Sequence, residues 1–95
     1  MKLACTMAVM LAMPVVVPAF AGESVPLFLL AIVADKSRPA ADTELDANRK
    51  PAETMAFAGV ASGDTLIELI PGGGYYTRLL SKAVGPLGQL FSVVP

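Results

Sequence analysis

The sequence predicts an α/β fold, one βαβ unit preceded by helices, and three observations carry that reading. Thr65-Leu66-Ile67-Glu68-Leu69-Ile70 is a strand-length run rich in apolar and β-branched residues. Pro71 and Gly72-Gly73-Gly74 end it abruptly. Tyr75 to Val84 then has helical spacing, and Leu90-Phe91-Ser92-Val93-Val94 follows as a second buried-type strand. Strands this apolar are expected when both faces of a parallel sheet are covered.

The chain begins with a different kind of segment. Met1-Lys2 gives a short positive start, Leu3 to Val17 is almost wholly apolar, and Ala19-Phe20-Ala21 is an A-x-A cleavage pattern. These are the three parts of a secretory signal peptide, and residues 1–21 are read as one, which places the product outside the cytoplasm as a periplasmic or secreted protein. An uncleaved anchor needs about 20 apolar residues, whereas this run is shorter and is broken by Pro14 and Pro18. Val25 to Ala34, ten residues, is also too short to span a bilayer. It reads as a short helix or arm packing on the domain, with Pro26 in its first turn.

Asp35 to Lys50 is polar and reads as an exposed connection with a helical turn near Asp42 to Asn48, so residues 22–50 form an arm and linker. Pro51 suits the first position of a helix running to about Ala58, with Gly59 as its left-handed stop. Met55 and Ala58 share a face with Phe57 near it, and Arg49 and Glu53 are spaced to pair. In the later helix Tyr76, Leu79, Leu80 and Ala83 form the expected apolar stripe, with Arg78 and Lys82 on the wet side. Gly85-Pro86 stops that helix.

Composition narrows the chemistry. Lys and Arg number 7 against 8 Asp and Glu, which gives no electrostatic case for nucleic acid. Removal of the first 21 residues leaves 6 basic residues and a net charge of −2, with no membrane span remaining. There is no histidine, and the single Cys5 lies in the signal segment. Disulfides, Cys or His nucleophiles and the usual zinc sites are therefore excluded, and no metal is expected.

A Gly-rich loop between a parallel strand and a helix presents backbone N–H groups at the carboxyl edge of a sheet, where nucleotide cofactors bind. A tight turn alone also accounts for such glycines. Two cofactor classes compete. The dinucleotide fingerprint needs a third glycine where Thr77 stands, and it calls for no acid within the strand. An acid near the strand's end followed by G-x-G is the first motif of the S-adenosylmethionine (SAM) methyltransferases, matched here by Glu68-Leu69-Ile70-Pro71-Gly72-Gly73-Gly74.

From about Ala31 to Pro95 the chain resembles the N-terminal part of a family of exported, predicted class I SAM-dependent methyltransferases. The residues carrying the resemblance are Arg38-Pro39, Asp46, Arg49-Lys50-Pro51 and Glu68 to Tyr75. It covers about two thirds of the sequence and implies a partial Rossmann-like fold, with residues 51–95 as the first part of the SAM-binding domain. It implies SAM as cofactor, with Gly72, Gly73 and Gly74 approaching its amino-acid tail and sugar. Glu68 would help hold the loop and the cofactor's ammonium group. Ile70 departs from the family pattern, standing where many class I motifs have another glycine. Tyr75 is read as a packing residue beside the pocket.

Class I methyltransferases place a second acid at the end of the second strand, and here that neighbourhood is Val94-Pro95. The expectation is a methyltransferase-like fragment truncated after the second strand, with no acceptor site or assignable catalytic residue, unstable or self-associating alone. Two other readings stand beside it: an inactive truncated product, and a small exported binding module using residues 25–34.

Overall fold

The computed structural model describes residues 24–95, so the signal-peptide reading of residues 1–21 lies outside the described residues. Among the described residues four short helices come first: α1 (Leu27–Val33), α2 (Ala40–Thr43), α3 (Asp46–Arg49) and α4 (Pro51–Phe57). Strand β1 (Thr65–Leu69), helix α5 (Tyr75–Val84) and strand β2 (Gln89–Val93) complete the chain. The strands pair in parallel, from Thr65 opposite Gln89 to Leu69 opposite Val93. The Gln89 N–H donates to Asp64 O and the Ile70 N–H to Val93 O, both at 2.9 Å, which extends the ladder at each end. This is an α/β arrangement with one β-α-β unit behind a helical segment. Among the described residues no helix is long and apolar enough to cross a membrane.

Local chemistry accounts for the element ends. Pro51 opens α4, where its missing N–H forfeits no helical bond. Gly59 follows α4 with φ +76°, and Gly85 caps α5 with φ +71°. Lys50, between α3 and α4, also has a positive φ of 46°. Its carbonyl accepts the Thr54 hydroxyl at 2.9 Å, closing that junction.

The core lies between α1, α4, α5 and one face of the sheet. Leu29, Met55 and Leu79 are fully buried, with Val60, Tyr75 and Ala83 around them and Leu66 packed on the cluster from β1. Full burial of a Leu or Met side chain contributes about 2 kcal/mol, so these three anchor the helices to the strand. The buried stripe of α5 is Tyr75, Leu79, Ala83 and Val84, rotated from the expected one, with Tyr76 and Leu80 only partly buried. The expected face of α4 is also corrected: Met55 is buried, but Ala58 and Phe57 are exposed.

Only one face of the sheet is covered among the described residues. Leu66 and Glu68 are partly buried, whereas Ile67 and Leu69 on the other face are each 69% exposed. Their cross-strand neighbours Phe91 and Val93 share that open face. The expectation that both faces would be covered is therefore not met by the helices present.

The segment from Asp35 to Lys50 is mostly exposed and turns through α2 and α3, but it also buries two charged side chains that its polarity did not suggest. Arg38 is 8% exposed and Asp42 5%. Arg38 reaches both Asp46 oxygens at 2.7 and 3.0 Å and the Val33 carbonyl at 2.7 Å. Arg78 on α5 holds Asp42 through two bonds of 2.7 Å, and Lys82 pairs with Asp35 at 2.8 Å. A carboxylate and a guanidinium that satisfy each other can be buried where either alone could not. Polar composition thus marks a segment fastened to α5 by its charges.

These pairs hold the carboxyls of Asp35, Asp42 and Asp46 below the ordinary value. Bonds from Lys82, Arg78 and Arg38 respectively are the largest cause. A carboxyl whose folded-state pKa is lowered stabilises the fold above its unfolded pKa, and that stability is lost as pH falls toward the folded value. The urea midpoint should therefore hold from neutral pH to about pH 5 and fall once pH drops below 3.8. Equilibrium unfolding followed by circular dichroism checks this, and a midpoint that rises on acidification would contradict it.

Candidate functional site

At the carboxyl end of β1 the backbone turns through three positive-φ positions: Ile70 at +55°, Gly72 at +60° and Gly74 at +88°. Gly74 is the N-cap of α5, and its N–H donates to Pro71 O at 3.0 Å. Its missing side chain also matters for space, because a Cβ there would stand 2.9 Å from the Arg78 guanidinium. Gly72 and Gly73 donate to no acceptor among the described residues, which leaves their N–H groups available.

The loop borders an open cleft of about 740 Å³, lined among others by Glu68, Ile70, Gly72, Gly73, Tyr75 and Arg49. Of the four residues expected at the cofactor, Glu68, Gly72 and Gly73 thus share this wall, while Gly74 sits at the helix start behind it. A second cleft, about 540 Å³, lies against Pro39, Ser81 and Lys82. The charged groups bordering it, Arg38, Asp42, Arg78 and Lys82, are already paired.

Glu68 is oriented by two hydroxyls. Thr77 Oγ1 donates to Glu68 Oε1 at 2.6 Å and Ser92 Oγ donates to the same atom at 3.0 Å. Its Oε2 accepts nothing among the described residues, so half of the carboxylate remains open to a ligand. Both departures from the dinucleotide fingerprint, the acid at Glu68 and Thr77 in place of glycine, are the two ends of one hydrogen bond. The sequence reading missed Ser92. Its signal was a lone hydroxyl in an apolar strand, and parallel register places it opposite Glu68.

Tyr75 joins the cleft to the helical segment. It is buried, yet it also borders the cleft, so packing and lining are one role. Its hydroxyl donates to Asp46 Oδ1 at 2.6 Å. Burial first, and then this bond, push the hydroxyl up to about 12, which keeps its proton in place at ordinary pH. The ring packs edge-to-face on Tyr76, with centroids 4.9 Å apart, and the Arg49 guanidinium lies 4.6 Å from the Tyr75 ring centre. Arg49 therefore stacks on Tyr75 and does not pair with Glu53, as its spacing had suggested.

Arg38, Asp46 and Arg49, which carried the sequence resemblance without an assigned role, converge on Tyr75. The cleft combines free backbone N–H groups, a half-satisfied carboxylate and a stacked guanidinium. That set suits holding a polar ligand in register. Among the described residues no three His, Cys, Asp or Glu side chains group as metal ligands. No protein-family model, curated protein or solved structure matches the chain.

Ile70, with φ +55°, has the backbone conformation that glycine favours. Holding a β-branched residue there costs roughly 1–2 kcal/mol, and a glycine adds about 0.5–1 kcal/mol of unfolded-state entropy. Ile70 is 73% exposed, so its removal forfeits little burial. Ile70→Gly should leave stability unchanged or raise it by up to about 1 kcal/mol. A clear loss in urea unfolding would show that the side chain contributes more than its backbone costs.

Proposed function

We propose that this chain binds S-adenosylmethionine on the Gly72–Gly74 loop and is the cofactor-binding part of a methyltransferase whose acceptor is not identified. The observation that carries the reading is Glu68, held at the end of β1 by Thr77 and Ser92 beside a glycine loop with two free N–H groups. An acid in this place complements an ammonium group, whereas a dinucleotide pyrophosphate would meet it as a like charge. The cleft volume of about 740 Å³ falls within the usual range for small-molecule sites.

The residues present fit the amino-acid end of that cofactor. Glu68 Oε2 would accept from the ammonium, and the loop N–H groups would donate to a sugar or tail oxygen. When bound, the cofactor supplies a methyl group activated by its sulfonium. For such a transfer the chain's part would be to hold the cofactor in position, through Glu68 and the loop N–H groups. Transfer asks for no acid–base side chain at the methyl, which agrees with a sequence that contains no histidine.

A second reading, an exported binding module, rests on exposed apolar surface: Leu27 and Leu30 on α1, and Ile67 and Leu69 on β1. The two readings differ in whether a nucleotide ligand binds at all.

Gly73 separates ligand binding from folding. Unlike Gly72 and Gly74 it has no positive φ, and a Cβ built on it meets nothing within 4 Å. Gly73→Val should change stability by no more than about 0.5 kcal/mol, yet it places methyl groups in the cleft. Isothermal titration with S-adenosylhomocysteine should show binding to the native chain and at least about tenfold weaker binding to the variant, a loss of roughly 1.4 kcal/mol or more. No binding to the native chain, or preferential binding of NAD, would overturn the reading.

A further inference from the structure

The cleft borders contain more charge than the cofactor reading has used. Arg78 is committed to Asp42 by paired bonds, but Arg49 makes no ion pair among the described residues. It is exposed, yet it is not a freely sweeping side chain. Its guanidinium rests on the Tyr75 ring at 4.6 Å. Its carbonyl accepts the Tyr76 hydroxyl at 3.3 Å and the Thr54 hydroxyl at 3.1 Å, which fixes the backbone it springs from.

Arg49 and Glu68 border the same cleft, together with Gly72 and Gly73. One unpaired cation and one half-satisfied anion on a single cleft form a zwitterionic surface. The ligand chemistry that complements it is an α-amino acid, with an ammonium for the carboxylate and a carboxylate for the guanidinium. A planar guanidinium is suited to a carboxylate because it can donate two parallel bonds.

We propose that Arg49 is the residue that receives the ligand's α-carboxylate, and so selects ligands with an intact amino-acid end. This rests on the cofactor reading above and adds a specificity-determining residue to it. Stacking on Tyr75 reduces the entropy lost when the guanidinium is engaged.

The test uses the full chain and two probes that differ only in the carboxylate: S-adenosylmethionine and its decarboxylated form. Titration calorimetry on the native chain should show the intact cofactor binding more tightly. Arg49→Gln should weaken the intact cofactor by about 10- to 100-fold, as expected for a charged hydrogen-bonded contact, and leave the decarboxylated form unchanged. Arg49→Lys, which keeps the charge but not the fork, should fall between. Unchanged binding of the decarboxylated probe also shows that each variant is folded. If Arg49→Gln weakens both probes equally, or neither, the assignment of Arg49 is overturned while the cofactor reading stands. A native chain that binds neither probe overturns both.

Discussion

The Asp46 carboxylate accepts three hydrogen bonds at once, two from Arg38 and one from the Tyr75 hydroxyl. Arg38 reaches on to the last carbonyl of α1, and Tyr75 is the first residue of α5. One small group therefore sets α1, α3 and α5 relative to one another. Because Tyr75 directly follows Gly74, it also sets where the glycine loop ends. Bonds to charged groups contribute about 1.5–3 kcal/mol each, so each bond of the node is comparable with burial of a core side chain.

The loop and its helix were legible in the sequence because their signals are local. A β-branched run, a proline, three glycines and a helical stripe fall within about twenty consecutive positions. Even the strain at Ile70 had a trace, since the residue stands where a glycine would suit the backbone. The long-range pairs made by the segment from Asp35 to Lys50 were not legible for the opposite reason. Asp42 meets Arg78 across 36 positions, and Asp46 meets Tyr75 across 29. Nothing in the local spacing of such charges distinguishes a solvated face from a buried pair. The rotation of the α5 stripe has the same source. Tyr75 is drawn inward by a partner that helical periodicity cannot see.

The site shows a similar division. Glu68, Gly72 and Gly73, expected at a cofactor, share the cleft wall, whereas Ser92 enters only through strand register and Arg49 only through its stack on Tyr75. Glu68 is fixed from two elements, α5 through Thr77 and β2 through Ser92, so its position reports the assembly of the whole β-α-β unit. The open face of the sheet lies on the other side of β1 and does not touch these contacts. The two meet only at Leu69, which is on the open face and also borders the cleft.

The carboxylate at position 46 holds the start of α5, and with it the glycine loop. Amide hydrogen exchange on the native chain and on Asp46→Asn tests it directly. Asparagine keeps the shape but loses the charge and one acceptor. Faster exchange should then appear in the first turn of α5, at the Arg78 and Leu79 amides, while the amides of the β1–β2 ladder keep their protection. Unchanged exchange at the start of α5 would contradict the account, because the loop would then be held without the node.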